Sequence, residues 1–380
     1  MSANIARVRV SSAYAAAARL AEAAFDFPAR QLGLVGITGT NGKTTCAFLL
    51  RDLLRQAGQG PGMIGTVCYS IADRDLAADR TTPPPFTYQR LMADMVEVGC
   101  TIAIVETSSH ALHQRRMGTV PFAVGIFTNL TGDHLDYHGD LEVYYRCKKS
   151  LFTDYLAHGA TAVINVNDSY GQRLAREIVS ERPDLTVRQV GSGEQADCRI
   201  TDSASSVAGC RFRLETSAGT LKLESRLIGN YNIVNIAQVA VAALSLGVAP
   251  DQLVAEIYNC HGAPGRLQRI DSGQGFTVFV DYAHTDDALR NVLSALRELQ
   301  PRRLSVVFGC GGDRDRTKRP RMGRVAAELA DRIYVTSDNP RSEAPEAIIE
   351  AVIEGMPGSC NYKREVDRFK AIQQAVADAQ

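Results

Sequence analysis

The chain has 380 residues, of which 45% are hydrophobic and 22% charged, which is enough to bury sizeable cores and indicates two or three domains. Lysine plus arginine (42) equals aspartate plus glutamate (42), so no overall field attracts nucleic acid and we expect none as a partner. The longest apolar stretch, around residues 239–248, is too short for membrane insertion. Nine cysteines without a C-x-x-C pair argue against a zinc site and a secreted disulfide framework, and favour the reducing cytoplasm.

A glycine-rich segment follows an N-terminal lead-in. Residues 4–24 are alanine-rich and predict a helix, and we assign residues 1–30 to a lead-in rather than a domain. Residues 32–37 have the apolar, β-branched composition of a strand, and apolar residues recur at helical spacing from 48 to 57. The sequence TGTNGKTT, residues 38–45, lies between them. A strand, a glycine-rich turn and a helix in this order predict a phosphate-binding loop, because backbone N–H groups and the helix N-terminus converge there.

Two side chains of this loop have predicted roles. In the P-loop pattern the lysine, here Lys43, reaches the β- and γ-phosphates, and the hydroxyl at Thr44 binds Mg²⁺. The pattern begins with glycine, whereas Ile37 occupies that position here. A chance glycine turn is therefore the alternative interpretation.

The next predicted elements are a strand at 62–67, a rigid proline turn at 83–85, a helix at 87–98 and a strand at 101–106. A second polar group follows the last of these strands. Glu106 lies at the carboxyl end of its strand, where parallel sheets collect ligands. It is either a metal-binding acid or an ordinary solvated carboxylate. The hydroxyl, amide and guanidinium groups of residues 107–110 and 114–116 favour an anionic or sugar-bearing substrate nearby.

Residues 122–128 predict another buried strand, which leads into a segment with two histidines and two aspartates, residues 133–138. His134 or a neighbouring carboxylate is a candidate Mg²⁺ ligand at the same sheet edge, and a polar helix surface is the alternative. By spacing alone, Lys148 and Lys149 are solvated lysines.

The α/β alternation continues with a strand at 161–166 and a helix at 170–179, and then changes to short alternating runs at 188–228 that predict a small antiparallel β annex. A helix at 229–246 opens with asparagines that either contact a purine base or cap the helix. Residues 263–267 predict a hinge. Strands at 277–280, 304–308 and 333–336, each followed by a polar motif, predict a second doubly wound sheet, with the chemistry between the two domains.

Eight segments, taken in order, resemble the Mur ligases: TGTNGKTT, ETSSHAL, TNLTGDHLDYHG, GNYNIVNIAQVA, GAPGRLQ, VDYAHTDDAL, FGCGGDRDRTKRP and SDNPR. The resemblance covers nearly the whole chain. It implies an α/β protein with a central P-loop ATPase domain, built on a parallel sheet with a small β annex, and a Rossmann-like, doubly wound C-terminal domain. The implied domains are residues 31–262 and 263–380.

The resemblance implies an ATP- and Mg²⁺-dependent ligase of peptidoglycan synthesis that acts through an acyl phosphate. The closest members add the third residue of the stem peptide, so UDP-N-acetylmuramoyl-L-alanyl-D-glutamate and meso-diaminopimelate are the implied partners of a cytoplasmic, monomeric enzyme. Carried over by position, the catalytic residues are Lys43, His134 and Lys148; the ATP-binding residues are Gly39, Thr40, Asn41, Gly42, Lys43, Thr44, Thr45, Asn235, Arg266 and Asp281; and the metal ligands are Thr44, Glu106, His134 and Lys148. By this resemblance Lys148 matches a carbamylated lysine, whereas its spacing in the sequence predicted a solvated lysine.

Substrate residues carry over in the same way: Thr81, Thr82, Ser108, Gln114 and Arg116 for the nucleotide sugar, and Arg314, Asp338, Asn339, Pro340 and Arg341 for the amino acid. The segment DNPR resembles the signature for diaminopimelate, whose second carboxylate suits the Arg341 guanidinium, whereas lysine has none. Family members begin with a domain for uridine diphosphate and end with a Gly-Lys-Gly-His-Glu turn, neither of which is found here, so we expect a truncated chain. A folylpolyglutamate or cyanophycin synthetase, or a silent nucleotide-binding remnant, are the alternatives.

Overall fold

The computed structural model describes residues 9–379, except for the side chains of residues 135 and 136. The first part of the helix predicted at 4–24 lies outside the described residues. The chain divides into two compact units. The first comprises the residues up to Ala204 together with Cys210–Arg226 and Tyr231–Ala263, and the second comprises Ser205–Gly209, Leu227–Asn230 and the residues from Pro264 onward.

The first unit is built on one large sheet. Its strands are β1 (Gly33–Thr38), β2 (Pro61–Ile64), β3 (Cys68–Ile71), β4 (Arg74–Ala77), β5 (Ile102–Glu106), β6 (Phe122–Phe127), β7 (Leu156–Asn165), β8 (Thr186–Gly191), β9 (Cys198–Ser206), β10 (Gly209–Thr216) and β11 (Gly219–Ser225). Its helices are α1 (Ala13–Ala24), α2 (Lys43–Gln56), α3 (Pro85–Glu97), α4 (Ser109–His113), α5 (Leu135–His138), α6 (Leu141–Ser150), α7 (Ser169–Glu181), α8 (Asn230–Ser245) and α9 (Pro250–Glu256).

The strand order of this sheet is β11-β10-β9-β8-β7-β6-β1-β5-β2-β3-β4. The central pairs, from β2 through β5, β1, β6, β7 and β8, are parallel, whereas β2–β3, β3–β4 and β10–β11 are antiparallel. The predicted parallel sheet is confirmed. The strands of the predicted annex, β9 to β11, continue the same sheet at one end.

The sheet order explains how distant motifs meet. Strand β1 pairs with β5 on one side, with Ile37 opposite Glu106, and with β6 on the other, with Thr38 opposite Phe127. The loops after these three strands therefore emerge next to one another at the carboxyl edge of the sheet. Apolar residues of α3, α6 and α7 pack with the strands into one buried cluster that fixes this edge.

The second unit contains two smaller sheets. Its strands are β12 (Gln268–Ile270), β13 (Val278–Val280), β14 (Ser305–Phe308), β15 (Arg332–Thr336) and β16 (Tyr362–Glu365), and its helices are α10 (Asp286–Glu298), α11 (Lys318–Leu329), α12 (Pro345–Ile353) and α13 (Arg368–Ala377). Strands β14, β15 and β16 form a parallel sheet. Buried residues of α10, α11 and α12 share a core with these strands.

The predicted strand at 277–280 does not join this parallel sheet. Strand β13 instead pairs antiparallel with β12 as a two-stranded ribbon. The physical reason is its lack of burial: Val278 and Phe279 are only partly buried and Val280 is 47% exposed, whereas a strand inside a parallel sheet is covered on both faces.

Among residues 9–379, the structure contains no helix with the length and apolar composition needed to cross a bilayer.

Candidate active site

Two lysines converge on the glycine-rich loop between β1 and α2. Lys43 Nζ donates to the carbonyl oxygens of Gly39 and Thr40, both at 2.8 Å. Lys148 Nζ, from α6, also donates to the Gly39 oxygen at 2.8 Å. The fold thus places two amino groups at the loop predicted to bind phosphate.

The two glycines of this loop are required by conformation and by space. Gly39 has φ = 146° and Gly42 has φ = 88°, values that residues with a Cβ rarely adopt. A Cβ at Gly39 would lie 1.9 Å from Thr128 Oγ1, and a Cβ at Gly42 would lie 2.7 Å from Asn235 Oδ1. Asn235, predicted from the resemblance to contact ATP, is therefore packed directly against the glycine-rich loop.

The loop after β6 holds the tip of the glycine-rich loop. Asn41 N–H donates to Asn129 Oδ1 at 2.9 Å, and Thr128 Oγ1 donates to the Asn41 carbonyl at 2.6 Å. Thr40 Oγ1 donates to the Thr131 carbonyl at 3.3 Å. Thr128 and Asn129 had no predicted role, although they lie in the quoted segment TNLTGDHLDYHG. They follow β6, the fifth strand after β1 in the chain, so no local sequence signal connects them with the glycine-rich loop.

Glu106 gathers hydroxyl groups at the same edge. Its side chain is completely buried, and its Oε2 accepts from Thr44 Oγ1 at 2.8 Å and from Thr66 Oγ1 at 3.0 Å. Its Oε1 accepts from the Thr66 N–H at 2.9 Å. Burial excludes the alternative of a solvated strand-end carboxylate, and Thr66 is a neighbour that the sequence did not indicate.

Lys148 is not the solvated lysine that its spacing suggested. Its exposed fraction is 1%, and its Nζ lies 4.4 Å from the centre of the Tyr144 ring. Burial, reinforced by the positive charge of Lys43, holds the pKa of Lys148 well below its usual value. A neutral amine is a nucleophile and a protonated one is not, so this environment favours a reactive Lys148.

His134 belongs to a cluster of rings rather than to the Glu106 group. It has φ = 54°, and its ring centre lies 5.1 Å from that of His110 and 6.3 Å from that of Tyr144. In the same cluster His138 Nε2 lies 2.9 Å from Ser109 Oγ. Burial, followed by the influence of His110, lowers the pKa of His138 to about 4.

The donor set at Glu106 fits a magnesium ion in part. Carboxylate and hydroxyl oxygens are ligands that Mg²⁺ prefers, and Thr44 and Glu106 already lie together. In the described part of the chain, no three His, Cys, Asp or Glu side chains come together as metal ligands. Of the four predicted ligands, the structure therefore joins Thr44 with Glu106 directly, and it connects Lys148 with His134 through the Tyr144 ring.

The five residues assigned to the nucleotide sugar form one connected network. Thr82 Oγ1 donates to the Glu106 carbonyl at 2.6 Å and accepts from the Ser108 N–H at 3.1 Å, while Thr81 Oγ1 lies 3.1 Å from Thr66 Oγ1. Arg116 donates to the Thr82 carbonyl at 2.7 Å and, through two nitrogens, to Gln114 Oε1. Thr82 is completely buried, so its hydroxyl forms hydrogen bonds within this network and does not face solvent.

In the second unit, Arg266 and Asp281 lie close together. The Arg266 guanidinium lies 4.8 Å from the centre of the Tyr282 ring, and the Asp281 carboxylate accepts from the N–H groups of Leu267 and Ala283, both at 2.7 Å. Burial raises the pKa of Asp281. These contacts shape the loop after β13.

The residues assigned to the amino acid lie on two loops of the second unit, after β14 and after β15. Arg341 NH1 donates to the Gly312 carbonyl at 2.7 Å, and the Gly312 N–H donates to the Asn339 carbonyl at 2.9 Å. A Cβ at Gly311 would lie 3.0 Å from Arg341 NH1 and 4.0 Å from Arg314 Cγ, so the two predicted arginines flank the same glycine. Asp338 and Asn339 are exposed.

Comparison with protein families agrees with this arrangement of motifs. A model of the Mur ligase middle domain matches residues 37–243, and a model of the Mur ligase, glutamate ligase domain matches residues 265–380. The chain belongs to the Mur ligase family. The sequence resemblance is thereby confirmed, as is the predicted α/β fold class.

Several relatives of this Mur ligase carry the same name. The UDP-N-acetylmuramoyl-L-alanyl-D-glutamate--2,6-diaminopimelate ligase of Gloeobacter violaceus is 44% identical over 373 residues, which are 98% of this chain and 75% of that protein. The protein of that name from Solibacter usitatus is 43% identical over 98% of this chain and 75% of its own length.

Solved structures give the same fold. A structure of a UDP-N-acetylmuramoyl-L-alanyl-D-glutamate--2,6-diaminopimelate ligase is 34% identical, with a TM-score of 0.70 over 96% of this Mur ligase and 73% of that chain. Mycobacterium tuberculosis folylpolyglutamate synthase, solved with ADP, is 19% identical with a TM-score of 0.75 over 98% of this chain and 89% of its own. At that identity the second likeness shows the fold alone.

Proposed function

We propose that this Mur ligase joins meso-diaminopimelate to UDP-N-acetylmuramoyl-L-alanyl-D-glutamate at the expense of ATP. The proposal rests on the alignment with a ligase of that name, which is 44% identical and covers 98% of this chain. The nine described cysteines are all unpaired, which supports a reducing compartment such as the cytoplasm. We also infer a monomer, which sedimentation would test.

The reaction proceeds in two steps. The carboxylate of the nucleotide-sugar dipeptide attacks the γ-phosphorus of ATP, the bond to the bridging oxygen breaks, and ADP leaves with an acyl phosphate formed. The amine of diaminopimelate then attacks the acyl carbon, an amide bond forms, and phosphate leaves as the amine loses a proton. Both steps bring anions together, so the site needs cations and N–H donors rather than a protein nucleophile.

The glycine-rich loop supports the ATP part of the proposal. Lys43 holds the β- and γ-phosphates, the N–H groups of residues 43–45 at the start of α2 bind phosphate oxygens, and Asn235 beside Gly42 contacts the nucleotide. Thr44 and Glu106, which lie 2.8 Å apart, would hold Mg²⁺. When bound, Mg²⁺ neutralises charge on the phosphate oxygens.

Lys148 has a second proposed role. Its amine adds to carbon dioxide: the nitrogen forms a bond to the carbon, one N–H proton is lost, and a carbamate with two carboxylate oxygens results. The low pKa of the buried amine supports this step, because only the neutral form reacts. The modified side chain would supply oxygen ligands, and His134 a nitrogen ligand, for a second metal ion.

The test is phosphate release from ATP and Mg²⁺ with the UDP-sugar dipeptide, with meso-diaminopimelate or L-lysine in parallel and mass analysis for the tripeptide product. We expect product with diaminopimelate only. A parallel reaction with a folate and L-glutamate tests the folylpolyglutamate alternative, since turnover there would replace the proposal. ATP binding without phosphate release for any acceptor would indicate a silent nucleotide-binding protein.

A further inference from the structure

The loops after β14 and β15 are tied to each other by side chains as well as by backbone. Asp313, in the first loop, accepts from the Ser342 N–H at 3.0 Å and from the Ser342 hydroxyl at 2.8 Å. Together with the contacts of Gly312 to Asn339 and Arg341, these bonds make the two loops one surface. Arg341, the residue assigned to the second carboxylate of the amino acid, lies on it.

One carboxylate joins this surface to helix α11. Glu343 Oε1 accepts from the Asp313 N–H at 2.6 Å and from Arg319 NH2 at 2.8 Å, and its Oε2 accepts from Arg319 NH1 at 3.0 Å. Arg319, at the start of α11, is 3% exposed. A bidentate pair with a buried arginine fixes direction as well as distance. Glu343, in the loop after β15, therefore holds the loop after β14 and the start of α11 in one orientation.

The loop backbone needs such support. Asp313 has φ = 52° and Arg341 has φ = 50°, and neither is glycine. Left-handed backbone at such residues persists only when the surroundings hold it. The Glu343 carboxylate bonds the N–H of Asp313 itself, and Glu343 lies two residues beyond Arg341, so the pair with Arg319 is placed to hold both strained positions.

The ion pairs of Glu343 do not include Arg341. Glu343 pairs with Arg319 at 2.8 Å and with Arg316 at 3.1 Å. Within residues 9–379, by contrast, Arg341 forms no salt bridge with a carboxylate, and its guanidinium donates to the Gly312 carbonyl. Glu343 is thus paired with Arg319 and Arg316. The Arg341 guanidinium, whose charge adds to the hydrogen bonds from Ser342 in lowering the pKa of the nearby Asp313, has no carboxylate of the described chain at salt-bridge distance and can bind one from a ligand.

We propose that Arg319 and Glu343 are positioning residues that aim Arg341, and that their ion pair thereby sets the preference for an amino acid with a second carboxylate. This inference rests on the proposed function. Precise placement of a bidentate donor is needed for its selectivity, so a small movement of the loop weakens binding of the second carboxylate without disturbing the ATP site.

The test compares Glu343→Gln and Arg319→Lys with the wild-type enzyme. Glutamine keeps the size of the side chain but removes its charge, and lysine keeps the charge of Arg319 but loses the fork. We expect Glu343→Gln to raise the KM for meso-diaminopimelate about 10-fold or more, with the KM for ATP and for the nucleotide sugar changed less than about twofold. Arg319→Lys shows the same pattern with a smaller change.

Two further variants separate positioning from general stability. Glu328→Gln, which breaks the exposed pair of Arg290 with Glu328 in the same unit, is the matched control and leaves all three KM values unchanged. In an Arg341→Ala background, Glu343→Gln adds less than about twofold to the KM for diaminopimelate, because the guanidinium that it aims is already gone.

The outcomes are distinct. Three results would overturn the inference: an unchanged KM for diaminopimelate in Glu343→Gln, an equal rise in all three KM values, or full additivity of Glu343→Gln with Arg341→Ala. In each case, turnover of diaminopimelate by the wild-type enzyme would still support the proposed function. If Glu343→Gln does not fold, as judged by its thermal transition, Arg319→Lys decides by the same criteria. A wild-type enzyme that uses a different amino acid and not diaminopimelate overturns the proposed function itself.

Discussion

Lys43 and Lys148 donate to the same oxygen, the carbonyl of Gly39, each at 2.8 Å. One lysine comes from the glycine-rich loop itself, and the other comes from α6, more than a hundred residues later in the chain. Burial lowers the pKa of Lys148, and repulsion by the neighbouring positive charge of Lys43 lowers it further. A lowered pKa favours the neutral amine at Lys148, so the two lysines can perform different chemistry at one point.

The first prediction concerns the charge of Lys43. In Lys43→Ala, we expect phosphate release to fall by about 10²- to 10³-fold, because a cation that stabilises the transferring phosphoryl group is lost. The measurement is the steady-state rate of phosphate release with both substrates present. The adjacent-surface variant Lys149→Ala, which removes a lysine paired with Glu177 and Glu181, is the control and retains activity. Retained turnover in Lys43→Ala would refute the assignment of the P-loop.

The second prediction concerns carbon dioxide and Lys148. Enzyme prepared and assayed without carbon dioxide loses activity and regains it when bicarbonate is added. Lys148→Ala is inactive under both conditions and regains part of its activity with a short carboxylic acid, which replaces the carbamate oxygens. Mass analysis under conditions that retain the adduct shows the added carboxylate on the wild type and not on the variant. Full activity of Lys148→Ala would exclude the role.

The sequence predicted the parts of the site that lie within one motif. Gly39 to Thr45 form a local pattern of strand, turn and helix, and Glu106 at the end of an apolar strand follows from sheet geometry. Spacing failed for Lys148, because its burial depends on helix α6 folding back over the loop of β1. The roles of Thr66, Thr128 and Asn129 were not predicted for the same reason, since each of them forms hydrogen bonds with a residue that only the strand order brings near.

In the second unit, the structure differs from the sequence-based prediction for another reason. The polar motifs after β14 and β15 were predictable, because each follows an apolar run. The strand at 277–280 has the same pattern but pairs in a separate ribbon, and nothing in its composition distinguishes pairing partners. The link from Arg319 to Glu343 joins a helix start to a loop and leaves no periodic signal.

The third prediction concerns the hydroxyl of Thr66. Glu106 Oε2 accepts from the hydroxyls of Thr44 and Thr66, so Thr66→Val removes one of these two bonds with little change in volume, while the bond from the Thr66 N–H to Oε1 remains. We expect the Mg²⁺ concentration needed for half-maximal rate to rise about 10-fold, while Glu106→Gln raises it further. Measurement is by magnesium titration of phosphate release. Thr220→Val, at an exposed position of β11, is the control, and equal titrations for wild type and Thr66→Val would contradict the prediction.

The last prediction concerns pH and His138. Its pKa is about 4 in the folded protein because burial disfavours the charged ring, and 6.5 is its ordinary value. Between these two pH values His138 is protonated in the unfolded chain but not in the folded protein. The free energy of unfolding therefore falls as pH decreases from about 6.5 to about 4. The stability contributed by the neutral ring is complete above about 6.5.

Removing the ring removes that part of the pH dependence. We expect the melting temperature of His138→Gln to change less between pH 7 and pH 5 than that of the wild type, even though the variant is less stable at pH 7 because the contact of His138 with Ser109 is disturbed. His158→Gln, at an exposed histidine of β7, is measured in parallel as the control variant. Parallel curves for the wild type and His138→Gln would show that His138 is protonated as readily in the folded state as in the unfolded chain.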